Sequence, residues 1–166
     1  MEESAFAAFY EFTYRKLRAY VMKGVGEAAV ADDITQEAYV RLLQVVKRGS
    51  ETPQAKAYLY RIATNLMRDH WRRSRREVRD DDAEVERVQR TDDSRMDFSL
   101  DVNQAFGHLA PNQRTLLWLA YVEGYAHRDI ARVMNIGERS VRVLLYRARS
   151  RLLAVLRRMG IEAEDA

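Results

Sequence analysis

Between Glu77 and Asp101 the chain carries ten acidic residues against four arginines, with few large apolar side chains among them. Such a stretch buries too little surface to offset the entropy lost on ordering, so it reads as a flexible acidic linker. A chain of 166 residues interrupted in this way is expected to fold as two small domains of roughly 60 to 80 residues, each with a modest core. The expected boundaries are a first domain over 1–77, a linker over 78–98 and a second domain over 99–162.

Outside the linker, apolar residues recur at three- and four-residue steps, the period of an amphipathic helix. Ala5, Phe6, Phe9, Phe12, Leu17, Tyr20 and Val21 predict a first helix ending near Lys23-Gly24-Val25-Gly26. A second runs from Glu27 to Val46, with Ile34, Ala38, Leu42 and Val46 on one buried face. A third opens at Thr52-Pro53, an N-cap residue followed by a proline whose missing N–H costs nothing at the first helical position. It continues to Arg75 and buries Leu59, Ile62, Leu66 and Met67. Beyond the linker, Ser99 caps a helix containing Leu100, Val102, Ala105, Phe106 and Leu109. Pro111 opens another through Leu116, Leu117, Leu119, Ala120 and Val122, which Gly124 closes. Two more span Ala126 to Met134 and Glu138 to Met159. Alternating strand patterns bounded by turn pairs are absent, so the expected fold class is all-α, two small helical domains joined by the acidic linker.

The charge is laid out in blocks that the net value of +3 conceals. From Pro53 to Arg76 there are Lys56, Arg61, Arg68, Arg72, Arg73, Arg75 and Arg76 against the single acid Asp69. From Val141 to Arg158 there are Arg142, Arg147, Arg149, Arg151, Arg157 and Arg158 and no acid. Two basic surfaces on an acidic tether suit polyanionic partners.

Arg128 to Tyr146 has the residue pattern of a helix-turn-helix. Ala131 is small where two helices would cross, Ile130 and Met134 are apolar on the inner side, and Asn135 occupies the turn, where a left-handed backbone is needed. Ile136, Val141, Leu144 and Leu145 complete the inner face. Glu138, Arg139, Arg142, Val143, Tyr146 and Arg147 then point outward, the side that a recognition helix lays in the major groove. Arginine pairs bidentately with guanine or phosphate, so this set is chemically suited to DNA. An ordinary solvated hairpin with a charged face is the alternative.

The third helix places Arg61, Asn65, Arg68, Arg72 and Arg76 along one side, with Asp69 and Arg73 adjacent and Tyr58, Tyr60 and Trp71 on or beside it. Arginine interleaved with aromatics suits a surface that tracks a nucleic-acid backbone and stacks an unpaired base, although Tyr58 and Trp71 could equally be core residues. On the second helix, Asp32-Asp33-Ile34-Thr35-Gln36-Glu37 presents a polar acidic patch.

Taken together, Asp33-Ile34-Thr35-Gln36-Glu37 with Arg41-Leu42, then Ala57-Tyr58-Leu59-Tyr60-Arg61-Ile62-Ala63-Thr64-Asn65-Leu66 with Asp69 and Arg72-Arg73, then the helix-turn-helix ending Tyr146-Arg147-Ala148-Arg149, resemble a bacterial sigma factor of the sigma-70 family. The small two-domain form is similar to the extracytoplasmic function group. The resemblance implies a dissociable subunit of RNA polymerase. It assigns core polymerase binding to Asp33, Gln36, Glu37 and Arg41. It assigns capture of the melted minus-ten strand to Arg61, Asn65, Arg68, Arg72 and Arg73, helped by the loop from Arg48 to Gln54. Reading of the minus-thirty-five element, with a contact to the polymerase flap, falls to the second domain, through Glu138, Arg139, Arg142, Val143, Tyr146 and Arg147. Val143 stands at a site that is polar in many relatives, so no particular minus-thirty-five sequence is implied. Val30 stands where many relatives have an acid.

The partners that follow are core RNA polymerase, promoter DNA and an anti-sigma factor, with the free chain monomeric. Two other readings fit part of the pattern: a sigma-like decoy that binds an anti-sigma protein, and a helix-turn-helix repressor with an N-terminal dimerisation domain. The repressor leaves Asp33 to Glu37 unexplained. An enzyme is not expected, because His70, His108 and His127 are scattered, cysteine is absent, and no glycine-rich phosphate loop stands out. No cofactor or metal is expected either. Met1-Glu2-Glu3-Ser4 does not begin a secretory leader, and the apolar run Leu116 to Val122 is far short of the roughly 20 residues a membrane span needs, so the expectation is a cytoplasmic protein.

Overall fold

The computed structural model describes residues 3–46, 52–78 and 100–161, all in helices and the turns between them. In chain order these are α1 (Glu3–Val25), α2 (Ala28–Val46), α3 (Thr52–Val78), α4 (Leu100–Gly107), α5 (Pro111–Leu117), α6 (His127–Met134) and α7 (Glu138–Arg158). They divide into two compact units, the first holding α1 to α3 together with Arg132–Asn135 at the end of α6, and the second holding α4, α5, α7 and the start of α6. The expected Ser99 cap and the acidic stretch from Arg79 to Phe98 lie outside the described residues.

In the first unit α1 stops because Gly26 takes φ 77°, a left-handed conformation that its missing Cβ allows, and returns its N–H to the Met22 carbonyl at 2.8 Å. The three helices pack pairwise around Leu17, Tyr20 and Val21 of α1, Ile34, Ala38 and Leu42 of α2, and Leu59, Tyr60, Ala63 and Met67 of α3. Three threonines are buried in this core, and each hydroxyl donates to the carbonyl four residues earlier: Thr13 to Phe9, Thr35 to Ala31 and Thr64 to Tyr60. Thr13 and Thr64 also join helices, through Tyr39 at 2.6 Å and Tyr20 at 2.8 Å. At the surface Arg18 Nε donates to Asp32 Oδ1 at 2.7 Å and ties α1 to α2.

The sequence reading needs three corrections here. Phe12 does not join the buried stripe of α1; it is 69% exposed, with Lys56 Nζ 6.0 Å from its ring centre. Its step from Thr13, Leu17 and Tyr20 rotates it off the inward face. Tyr60 and Trp71 are buried, so neither is available for a base, whereas Tyr58 is exposed. Finally, α3 continues past Arg75 to Val78, since no glycine or proline interrupts a run of good helix formers.

In the second unit Pro111 occupies the first position of α5, and the Ala110 N–H donates to Gln113 Oε1 at 3.2 Å. The helix does not close as a regular α-turn. Trp118–Val122 forms a π-turn, with Glu123 N–H bonded to the Trp118 carbonyl at 3.1 Å, before Gly124 ends it at φ 67°. The core gathers Phe106 of α4 and Leu109 just after it, Leu116, Leu117, Trp118 and Leu119, and Val141, Leu145, Ala148 and Val155 of α7. α7 packs against both α4 and α5.

Candidate functional site

The second helix exposes a continuous strip. Asp33, Gln36, Glu37, Val40, Arg41 and Gln44 are all exposed, while Ile34, Ala38, Leu42 and Val46 are buried on the opposite side. The resemblance-derived residues Asp33, Gln36, Glu37 and Arg41 are therefore together on one face. Glu37 accepts from Arg41 Nε at 2.9 Å, a pair half exposed on both sides and so weak enough to re-pair with a partner. Asp32 is not part of this face, because Arg18 holds it. Val40 is 49% exposed in the middle of the polar strip and was not singled out from the sequence. The signal was there: Val40 follows the buried Ala38 by two residues, about 200° around the helix.

Along α3, Arg61, Asn65, Arg68 and Arg72 fall within about 60° of one another around the helix axis. Arg61, Asn65 and Arg72 are exposed, and Tyr58 lies on the same strip. Arg73 is exposed too, but about 100° away on the next face, so it is not brought to the strip. Arg68 is half buried. Desolvation lowers its pKa, with repulsion from Arg72 in the same direction and Tyr20 opposing both. Among the described residues no carboxylate pairs with Arg68. Asp69 bonds Arg72 instead, at 3.2 Å on the open surface. A guanidinium kept charged in a half-dry position without an acid is poised for an anion from outside. The expected Arg48 to Gln54 loop contributes only Gln54, exposed at the start of the strip; residues 47–51 lie outside the described residues, and no side chain is described for Thr52, Pro53 or Arg76.

The helix-turn-helix forms as its residues require. Asn135 takes φ 55°, and Ile136 N–H bonds the Ala131 carbonyl at 3.0 Å, the long-range bond of a Schellman ending. Gly137 then caps α7 with an extended backbone. Ile130, Ala131, Met134, Val141 and Leu145 are buried as expected, and Glu138, Arg139, Arg142, Val143, Tyr146 and Arg147 are all exposed. Val143 at 50% and Tyr146 at 66% give the outward face apolar as well as cationic character. Arg149 extends it, its Nη1 donating to the Tyr121 hydroxyl at 2.8 Å. Tyr121 went unnoticed in the sequence because it lies in an apolar run; it sits in the π-turn and is exposed.

With this geometry in hand, comparison with known proteins is specific. Residues 9–77 match the model of sigma-70 region 2, and residues 99–152 match that of sigma-70 region 4. The ECF RNA polymerase sigma factor EcfG of Rhodopseudomonas palustris is 31% identical over 149 residues, which cover 88% of this chain and 82% of that protein. In fold, the chain is similar to the sigma factor RpoE, solved in complex with the anti-sigma factor NepR from Bartonella quintana, with a TM-score of 0.76 at 24% identity over 92% of this chain and 97% of that one. It is also similar to the anti-anti-sigma factor PhyR from the same organism, with a TM-score of 0.55 at 15% identity over 90% of this chain and 49% of that one. The chain belongs to the sigma-70 family of RNA polymerase sigma factors, in its ECF group.

Proposed function

We propose that this alternative sigma factor docks on core RNA polymerase through the strip Asp33, Gln36, Glu37 and Arg41 and captures the melted minus-ten strand along Arg61, Asn65, Arg68 and Arg72, with Arg73 steering from the flank. The outward face of α7, from Glu138 to Arg147, reads the minus-thirty-five element as duplex. The domain assignment is 1–77 for polymerase binding and melting, 78–98 as linker and 99–162 for the duplex reader. The chain directs promoter-specific initiation and has no catalytic site of its own; the polymerase supplies the chemistry. It works in the cytoplasm, where an anti-sigma factor holds it in reserve. No helix among the described residues is long and apolar enough to cross a membrane.

The observation that carries this reading is the α3 strip, which combines three exposed polar side chains, an exposed Tyr58 and an Arg68 that no carboxylate among the described residues pairs, on one side of one helix. Separating DNA strands forfeits about 1.4 kcal/mol of stacking per base-pair step, so a protein without ATP needs a surface that holds the unpaired bases. Multi-round transcription with purified core polymerase and a promoter library tests it. Selective transcripts are expected, and a chain that neither binds core nor directs initiation would refute the proposal.

A second reading has one observation behind it: the fold is shared with a protein described as an anti-anti-sigma factor. Such a decoy would bind an anti-sigma protein and give no transcript with core polymerase. The DNA-suited faces of α3 and α7 have no use in a decoy and favour the first reading.

A further inference from the structure

The last four carbonyls of α1 have no partner within the helix. One of them, on the buried Gly24, accepts the Trp71 indole N–H at 2.9 Å, across 47 positions of sequence. The approach is close: a Cβ there would come within 2.6 Å of Met67 Cε, the flexible end of that side chain, and 3.5 Å from Trp71 Cζ2. Met67 is itself fully buried, so Gly24→Ala would shift its end within the core.

Trp71 is also the last buried side chain of α3 among those described. It is 8% exposed, whereas Arg72, Arg73 and Arg75 beyond it are exposed and Ser74 is half buried. From Arg72 to Val78 the helix runs about 10 Å without a buried side chain among those described. Among the described side chains Trp71 is therefore the last anchor of α3, and the direction of the turn beyond it follows from how that anchor is held. Arg68 and Arg72, one turn before and one residue after Trp71, sit on either side of that anchor.

We infer that Trp71 and Gly24 form a latch that positions the C-terminal half of the strand-capturing strip. Trp71 is a positioning residue, closed off from DNA, which fixes where the Arg68 and Arg72 guanidinium groups meet it. The inference rests on the reading of α3 as the strand-capturing surface.

The test compares Trp71→Phe, Gly24→Ala, Arg72→Ala and the double variant Trp71→Phe with Arg72→Ala, each as the full chain assembled with core polymerase. Core binding, thermal midpoint and the rate of promoter opening are measured, the last from 2-aminopurine placed in the minus-ten element. Trp71→Phe keeps a ring and loses the N–H; it is expected to slow opening roughly five- to tenfold with core binding unchanged. Gly24→Ala, which keeps the indole, should give the same pattern. The double variant should lose less than the product of the two single losses, because the latch acts through Arg72; a purely structural loss would multiply. Normal opening by Trp71→Phe, or a fully multiplicative double variant, overturns the latch. If Trp71→Phe loses core binding as well, Gly24→Ala decides: slow opening with core binding kept supports the latch, and loss of both overturns it. If Arg72→Ala opens normally, the strand-capturing reading of α3 falls and the latch with it; if Arg72→Ala is slow and Trp71→Phe is not, only the latch falls.

Discussion

Asn65 and Arg72 on α3 and Asp33 and Glu37 on α2 are exposed side chains of one bundle, so their substitution leaves the core intact and reports on partners alone. Asn65→Ala or Arg72→Ala is expected to cut promoter opening about tenfold or more while core affinity stays unchanged, the loss of one or two charge-assisted bonds. Asp33→Ala with Glu37→Ala should do the reverse and weaken core binding measured by fluorescence anisotropy. The opposite pattern would exchange the two assignments. Asn135 poses a different residue-scale test, since its φ of 55° costs a residue with a branched Cβ about 1–2 kcal/mol. Asn135→Val should lower the thermal midpoint of the chain, and Asn135→Gly should leave it nearly unchanged. These positions were legible in the sequence because each depends on local chemistry: helical spacing, charge, and the tolerance of asparagine for the left-handed region. Trp71 was not, because an indole on a basic strip looks the same in sequence whether it faces solvent or the carbonyl of Gly24.

At the scale of the helices, the seam between α1 and α2 is set by aromatic rings around one buried hydroxyl pair. Tyr39 shares a 2.6 Å bond with Thr13 and lies against Phe6, Tyr10 and Tyr14, with the Tyr10 ring 4.7 Å away. Burial pushes the Tyr39 hydroxyl up to about 12, with Tyr10 and Tyr14 adding to the rise and the Thr13 bond opposing it. Its folded pKa lies above the unfolded value of 10.0, so the folded state holds a proton that the unfolded state releases between those two values. The seam's contribution is therefore complete below pH 10 and lost as pH rises towards 12. Urea unfolding should show a midpoint that falls across that window, with a shallower fall in Tyr39→Phe; equal slopes would remove Tyr39 as the cause. The helices themselves were readable from periodicity, down to the prolines that open α3 and α5. The π-turn at Trp118–Val122 was not, because apolar residues there satisfy either helix type.

At the scale of the whole molecule, two small units on one chain gain from effective concentration: once one is bound, the other searches a small volume. Fragments 1–78 and 99–166 supplied separately are expected to support less transcription than the intact chain, with the deficit shrinking as their concentrations rise. A deficit independent of concentration would mean that the linker does more than tether. The resemblance to sigma factors implies what: a linker threaded through polymerase channels that later hold RNA, where its ten acids between Glu77 and Asp101 would stand in for a nucleic acid. Replacing those acids with serine should change abortive initiation and promoter escape, measured as the ratio of short to full-length transcripts.

The sequence alone determined that the chain is helical, that it divides at the acidic stretch, and which charged faces its helices carry, because periodicity, composition and turn chemistry are local properties. Family membership was legible for the same reason, in short motifs set at the right separations. Only the tertiary structure decided which residues of those faces are available. It withdrew Asp32 to Arg18, turned Trp71 and Tyr60 inward and Phe12 outward, and exposed Val40 and Tyr121. The pairing of Asp32 and the burial of Trp71 depend on a neighbour from another helix, which no spacing within a single stretch of chain encodes, whereas Phe12 and Val40 follow from their steps around α1 and α2 once the inward face of each is known.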